Sequence, residues 1–387
     1  MNEFTFATTA KMILGKSVDQ ALLEYCQKHR FSRVMLVTDP GICGVGLLDK
    51  TKATLEEGNI SLTIFDQVEA DPSSQTVLTA VELGKQQSVE AVVGFGGGSS
   101  MDVAKLVALL AHPENQQNLD DIYGVDQIRG YRLPLVQVPT TAGTGSEVTP
   151  ISIVTTGGTT KAGVVSDKLQ PDLAILDPDL TLGLPPHITA ATGIDAMVHA
   201  IEAYTSKLRK NPYSDMLARQ ALEILNSNIQ QAVENGSNRE ARVNMLFGAM
   251  LAGQAFANAP VAGVHALAYP LGGHYHISHG LSNALVLPHV LRFNLSHAVT
   301  EYAELAKILC PDAIAGNSKE KAAMAMIEHV ASLSKTLGLP TQLRECGVTE
   351  NSLDTLAADA MLQQRLLINN PRPVELHDAL TIYQQAF

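Results

Sequence analysis

Hydrophobic positions along the chain follow two regimes that change over near residue 180. Before that point, short apolar runs rich in β-branched residues alternate with stretches whose apolar residues recur at helical spacing. RVMLVTD (33–39), SLTIF (61–65), EAVVGFG (90–96), LPLVQVP (133–139), ISIVTT (151–156), AGVVS (162–166) and DLAILD (172–177) predict strands. The intervening segments 46–58, 73–87 and 99–111 predict helices. These strands are apolar throughout rather than alternating, so both of their faces must be covered. A mostly parallel sheet flanked by helices follows. The Gly-Gly pair of TTGGTT (155–160) predicts a hairpin turn. Pro185 and Pro186 then close the α/β part, and helical spacing takes over at 187–207, 213–234, 238–257, 263–272, 279–296, 299–310, 318–337 and 350–363. The reading is an α/β domain over 1–183 and an all-α domain over 184–387, with no internal repeat.

Composition changes this picture little. A length of 387 residues suits two cores, and 45% hydrophobic with 17% charged residues is ordinary for a soluble globular protein. The formal net charge is −12 and the 27 Lys and Arg form no stripe, which argues against nucleic acid or an anionic membrane as partner and leaves a small molecule. The N-terminus lacks a signal-peptide pattern, and no apolar run approaches the roughly 18 residues of a membrane span, so residence in the cytosol is expected. Cys26, Cys43, Cys310 and Cys346 lie far apart with no C-x-x-C pair, which fits reduced, structural thiols.

The candidate chemistry sits first in the helical half. Asp195 and His199 stand four apart in GIDAMVHAIEAY, so both project from one helix face about one turn apart. His265 and His279 bracket VHALAYPLGGHYHISHG, where a helix followed by a Gly-Gly turn can bring two more imidazoles to the same point. Three imidazoles and one carboxylate suit a divalent first-row ion, with Zn and Fe(II) leading on ligand softness. Each histidine read alone also fits a helix cap or a satisfied core position, His274 and His276 as well as the others.

In the α/β half, VVGFGGGSSMDVAK (92–105) is a strand, a triple glycine and a helix start. Glycines there let backbone N–H groups approach an anion, and the helix dipole favours it, so a pyrophosphate is the natural ligand. A purely structural βα turn fits the same residues, and Asp102 in the first helical turn also fits a plain cap. Asp39 ends the RVMLVTD strand, where a carboxylate can accept the 2′-hydroxyl of an adenosine ribose and would repel the extra phosphate of NADP. A turn-forming Asp before Pro40-Gly41 fits too. In VPTTAGTGSEVTP (138–150), Thr140, Thr141, Thr144 and Ser146 offer short donors at the carboxyl edge of the sheet, with a solvated polar loop as the other reading.

Taken together, GGGSSMDVAK, TTAGTGSEVT, ATGIDAMVHAIEAY and the VHALAYPLGG…SHGLSNALVLPHV block resemble, in order and over nearly the whole chain, the iron-containing (group III) alcohol dehydrogenase family. The resemblance implies an N-terminal dinucleotide-binding domain, a helical metal-binding domain, NAD and a divalent metal as cofactors, Fe(II) first with Zn or another ion possible, and a homodimer. On matching positions it implies Asp195, His199, His265 and His279 as metal ligands, and Gly97, Gly98 and Ser99 as the pyrophosphate loop. It further implies Asp39 at the ribose, Thr140, Thr141 and Thr144 along the nucleotide, and Lys161 near the cofactor. Many members carry a second histidine four residues after the third ligand, where this chain has Tyr269, the candidate catalytic side chain. A phenol with an ordinary pKa near 10 is a poor general base at neutral pH, so Tyr269 is expected to shape the pocket and orient a hydroxyl. Phe256 and Pro260, before His265, are candidate pocket walls that fit core packing equally well.

The expected activity is NAD(H)-linked interconversion of small primary alcohols or diols with aldehydes. A hydroxyacid–oxoacid transhydrogenase is the alternative within enzymes, and it would call for an arginine to meet the substrate carboxylate. A metal- or nucleotide-sensing protein without catalysis is the alternative outside them, disfavoured because all four ligand positions are intact. A lyase resembling dehydroquinate synthase shares the architecture but not the motifs.

Overall fold

The computed structural model describes residues 3–157, 160–313, 316 and 318–387. Two compact units result, one of Ala7–Gly183 and one of Leu184–Phe387 joined by the chain start up to Phe6. Phe4 and Phe6 go with the helical unit because their rings pack on Tyr213, at centroid distances of 5.9 and 5.4 Å.

In the α/β unit the strands are β1 (Lys11–Leu14), β2 (Arg33–Val37), β3 (Ser61–Phe65), β4 (Ala91–Gly96), β5 (Gly124–Val125), β6 (Leu135–Pro139), β7 (Ile151–Thr156), β8 (Thr160–Val165) and β9 (Leu173–Leu176). Six of them form a sheet in the order β1-β9-β6-β4-β2-β3, every pair parallel. The pleat explains their unbroken apolar character. Met35, Val37, Val92 and Leu135 face one core with the helix Gly98–Leu110, while Val34, Leu36, Val93 and Val136 face the other with Val18, Leu22 and Leu55. A second sheet, β5-β8-β7, holds the expected hairpin, with β7 and β8 antiparallel up to Thr156 opposite Thr160. Gly158 of the expected Gly-Gly turn lies outside the described residues.

Two departures from the expected elements have simple causes. The strand β1 and the helix Val18–His29 add to the set: β1 is only four residues and largely exposed, so it carries little apolar signal. The helix expected at 46–58 runs Asp49–Glu57, and a further short helix, Pro40–Gly44, precedes it because Asp39 caps that turn by accepting from the backbone N–H of Ile42.

The second unit is helical, with no strand among its described residues. Its central helix, Pro186–Thr205, is buried almost continuously from Thr189 onward and carries Pro186 in its first turn. Around it lie Pro212–Glu234, Arg239–Asn258, Gly263–Tyr275 and His279–Leu309. The last run covers two expected helices, which meet where Ala298 leaves helical geometry (φ −130°, ψ 20°). The helix Leu376–Ala386 near the C-terminus is additional to those expected. No single helix among the described residues is long and apolar enough to cross a membrane, and the four cysteines are unbridged.

Candidate metal centre and nucleotide loop

Helix spacing places the first pair of donors. Asp195 and His199 sit one turn apart on the buried central helix, His265 near the start of Gly263–Tyr275, and His279 at the first residue of His279–Leu309. One ligand atom from each of the four lies within 4.8 Å of every other. Asp195 Oδ1 stands 3.9 Å from His199 Nε2, 4.0 Å from His265 Nε2 and 3.6 Å from His279 Nε2. Asp195, His199 and His265 are buried, whereas the His279 side chain is 41% exposed. The rings of His199 and His265 stack at 4.8 Å, and Phe256 stacks on His199 at 4.3 Å. Pro260 is engaged through its carbonyl, which accepts from Ser206 Oγ.

Such convergence of acceptors in a buried place is costly unless something positive meets it. Burial alone would push the Asp195 carboxyl up, but His199, His279, His265 and the amide of Asn283 together hold it below the ordinary carboxylate range. Within the chain, Asn283 Nδ2 supplies the donor, 2.6 Å from Asp195 Oδ1, 3.2 Å from His279 Nε2 and 3.3 Å from His265 Nε2. Three imidazole nitrogens and a carboxylate oxygen this close fit a divalent ion by number and by chemistry.

Three residues that support this cluster were not singled out in the sequence. Glu202, on the same helix as Asp195 and His199, accepts from the Val264 backbone N–H at 2.6 Å and meets His265 Nδ1 at 2.6 Å. Asn283 stands one turn after His279, so both face the cluster. Gly280 allows the closest packing: a Cβ there would stand 2.5 Å from the carbonyl oxygen of Ala191, one turn before Asp195. The i, i+7 spacing from Asp195 puts Glu202 on the same helix face, but that spacing alone does not separate it from an exposed helix glutamate. Tyr269 sits one turn beyond His265 with its ring 5.9 Å from that of His279. His274 instead pairs with Asp359 at 2.6 Å, and His276 takes a left-handed conformation (φ 53°) at the helix end, so neither joins the cluster.

In the α/β unit, the neighbouring strands β2, β4 and β6 bring Asp39, Gly97 to Ser99, and Thr140 to Thr144 to one sheet edge. Gly97 precedes the helix Gly98–Leu110, whose first N–H groups have no intrahelical partner and suit an anion. Gly98 packs against Thr144, whose side chain lies 3.0 Å from where a Cβ would be. Thr140 N–H bonds to the Gly96 carbonyl at 3.0 Å, Thr144 Oγ1 accepts from Ser146 N–H, and the buried Thr141 hydroxyl has no hydrogen-bond partner among the described residues. The Ser99 hydroxyl donates to the Ala70 carbonyl, which leaves its backbone N–H, in the first helical turn, as the donor it can offer an anion. Asp39 spends one oxygen on its cap and sets the other 3.5 Å from Ser100 Oγ. Lys161 pairs with Asp71 and stands opposite Thr155 in the hairpin.

Asp102 is not the helix cap that its place suggested. Its carboxylate turns toward β7, accepting from Ser146 Oγ at 2.6 Å and Ile153 N–H at 2.9 Å. Lys105, fully buried on the same helix, donates to Ser146 Oγ, Thr149 Oγ1 and the Ile151 carbonyl at 2.7, 3.2 and 2.6 Å. Burial pushes its amine pKa down while Asp102 pulls the other way. These two side chains pin the threonine-rich segment against the glycine-rich helix.

The α/β unit thus has a glycine-rich helix start at the end of a parallel strand, and the helical unit has a three-histidine, one-aspartate cluster that could hold a metal ion. Residues 9–178 match the family described as iron-containing alcohol dehydrogenase, and residues 189–387 match the C-terminal region of the Fe-containing alcohol dehydrogenase family. Among curated relatives, long-chain-alcohol dehydrogenase 1 of Geobacillus thermodenitrificans is 40% identical, over 92% of this chain and 89% of its own. The NAD-dependent methanol dehydrogenase of Bacillus methanolicus is 34% identical over 92% of each. The crystal structure of a 1,3-propanediol oxidoreductase superposes with a TM-score of 0.95 at 36% identity, covering 100% of both chains. The chain belongs to the iron-containing alcohol dehydrogenase family, and its reaction class is the interconversion of alcohols and aldehydes.

Proposed function

We propose that this protein is an NAD(H)-linked, metal-dependent dehydrogenase of small primary alcohols or diols that also reduces the corresponding aldehydes. The observation that carries the reading is the approach of the Asp195, His199, His265 and His279 ligand atoms to within 4.8 Å of one another. Fe(II) is the proposed ion, with Zn or another divalent metal accepted by the same donors. When bound, the ion supplies Lewis acidity toward the alcohol or carbonyl oxygen, and the nicotinamide takes or gives the hydride. Phe256, stacked on His199, supplies an apolar wall that limits water. A homodimer, as the family resemblance implies, working in the cytoplasm completes the proposal. Turnover of alcohols and diols with NAD, measured beside 2-hydroxy acids, tests it. Exclusive use of hydroxy acids, or no turnover by the metal-loaded protein, would contradict it.

Asp39 sets the choice of nucleotide in this proposal. NAD is supported by the name of the methanol dehydrogenase relative and by the carboxylate at the end of β2. Glycine is tolerated at helix caps, so Asp39→Gly leaves the local fold in place. The ratio of NADP- to NAD-linked kcat/KM should rise by at least about tenfold, some 1.4 kcal/mol of differential binding. An unchanged ratio would remove this role from Asp39.

Tyr269 is proposed to orient substrate rather than to carry the essential proton. Tyr269→Phe keeps the ring beside His279, so turnover should stay within about tenfold of the parent, with a larger shift in preference among alcohols. A loss of about a thousandfold in kcat with metal content intact, roughly 4 kcal/mol, would make the hydroxyl an acid–base group.

A further inference from the structure

Glu202 lies within ATGIDAMVHAIEAY but has no part in the function proposed so far. It is 3% exposed, and both carboxylate oxygens are engaged. Oε1 accepts from the Val264 backbone N–H at 2.6 Å, and Oε2 meets His265 Nδ1 at 2.6 Å. Val264 is the second residue of the helix that carries His265, where a backbone N–H has no intrahelical partner and a carboxylate is favoured by the dipole.

The far side of the same imidazole gives a second observation. Asn283 Nδ2 lies 3.3 Å from His265 Nε2 and 2.6 Å from Asp195 Oδ1. Turning that amide over would set its oxygen against the Asp195 carboxylate, two acceptors with no proton between them, so the NH2 must face the cluster. That NH2 has two protons for three neighbours, Asp195 Oδ1, His279 Nε2 and His265 Nε2, so it accommodates a lone pair on His265 Nε2. The Glu202 contact at 2.6 Å places the ring proton on Nδ1, where the carboxylate accepts it, and the Asn283 side of the ring is compatible with that tautomer.

We propose that Glu202 is a positioning residue that holds His265 in the Nδ1–H tautomer, with Nε2 presented as a metal donor, and pins the first turn of its helix. The proposal rests on the metal-binding reading above. Carboxylates that orient ligand imidazoles typically contribute 10- to 100-fold to metal affinity. Glutamine cannot replace Glu202, because one oxygen and one NH2 cannot accept from both Val264 and His265. Whichever donor faces the NH2 is left opposed, and if it is His265 the ring must move its proton to Nε2 and cease to be a ligand.

Two measurements on the full chain test this. Long-range proton–nitrogen spectra of the metal-free protein labelled at histidine nitrogen, with the His265 signal identified by its loss in His265→Asn, should show Nδ1 protonated in the parent and a changed tautomer balance in Glu202→Gln. Chelator competition with Zn(II) should show affinity in Glu202→Gln reduced by about 10- to 100-fold while its circular dichroism matches the parent. Parent-like affinity together with an unchanged tautomer in Glu202→Gln would overturn the proposal. Should that variant fail to fold, the parent spectrum decides alone, since an Nε2–H tautomer for His265 would overturn it. Failure of Zn(II) to bind the parent would instead overturn the metal-binding reading, and the spectrum of the metal-free parent separates the two.

Discussion

Replacing any one of Asp195, His199, His265 or His279 by alanine should remove metal and activity together, with kcat/KM falling by at least about a thousandfold, some 4 kcal/mol of barrier. The four donors converge from three helices onto one point, so each loss leaves an incomplete coordination shell. Asp195 is the extreme case because it is the only anion among the four donors, and its removal leaves three neutral imidazoles to hold a dication. The α/β unit shares no residue with the cluster and should remain folded and able to bind nucleotide. Metal content by elemental analysis, read beside NADH fluorescence and circular dichroism, checks this. A His199→Ala protein with full metal and full turnover would remove that residue from the site.

Gly280→Ala is the second large effect expected, although glycine touches no ligand. An added Cβ would stand 2.5 Å from the Ala191 carbonyl oxygen, 2.8 Å from its carbon and 3.2 Å from Thr192 N, all backbone atoms of a buried helix that cannot rotate away. The start of His279–Leu309 must then back off, carrying His279 and Asn283 away from Asp195, which lies one turn beyond Ala191. Overpacking of this kind costs about 1–3 kcal/mol of stability. Metal affinity should fall by at least about tenfold, about 1.4 kcal/mol. Melting of the metal-free protein and chelator competition measure the two effects separately, and a variant unchanged in both would show that the helix start has room to spare.

The parallel sheet was legible because its strands are covered on both faces, which forces unbroken apolar runs such as VMLV and AVVGF. The strand β1 was not, because four largely exposed residues at a sheet edge need little apolar character. The close pair Asp195 and His199 could be read from helical spacing, since one helix fixes their relative placement. Glu202 could not be told from an exposed helix glutamate, because the partners that bury it, Val264 and His265, arrive from more than 60 residues away. Asp102 misled for the same reason: its position suggests a cap, while Ser146 and Ile153 draw its carboxylate elsewhere. Gly280 is invisible to pattern reading altogether, as its role is the absence of an atom at a helix crossing.

The most direct test of the account is activity as a function of bound metal. Protein stripped with a chelator and then titrated with Fe(II) or Zn(II) should regain NADH-linked aldehyde reduction in step with binding of close to one ion per chain, as a single four-donor site requires. His199→Ala, treated identically, should regain none. Full turnover by the stripped protein in the presence of excess chelator would contradict the account.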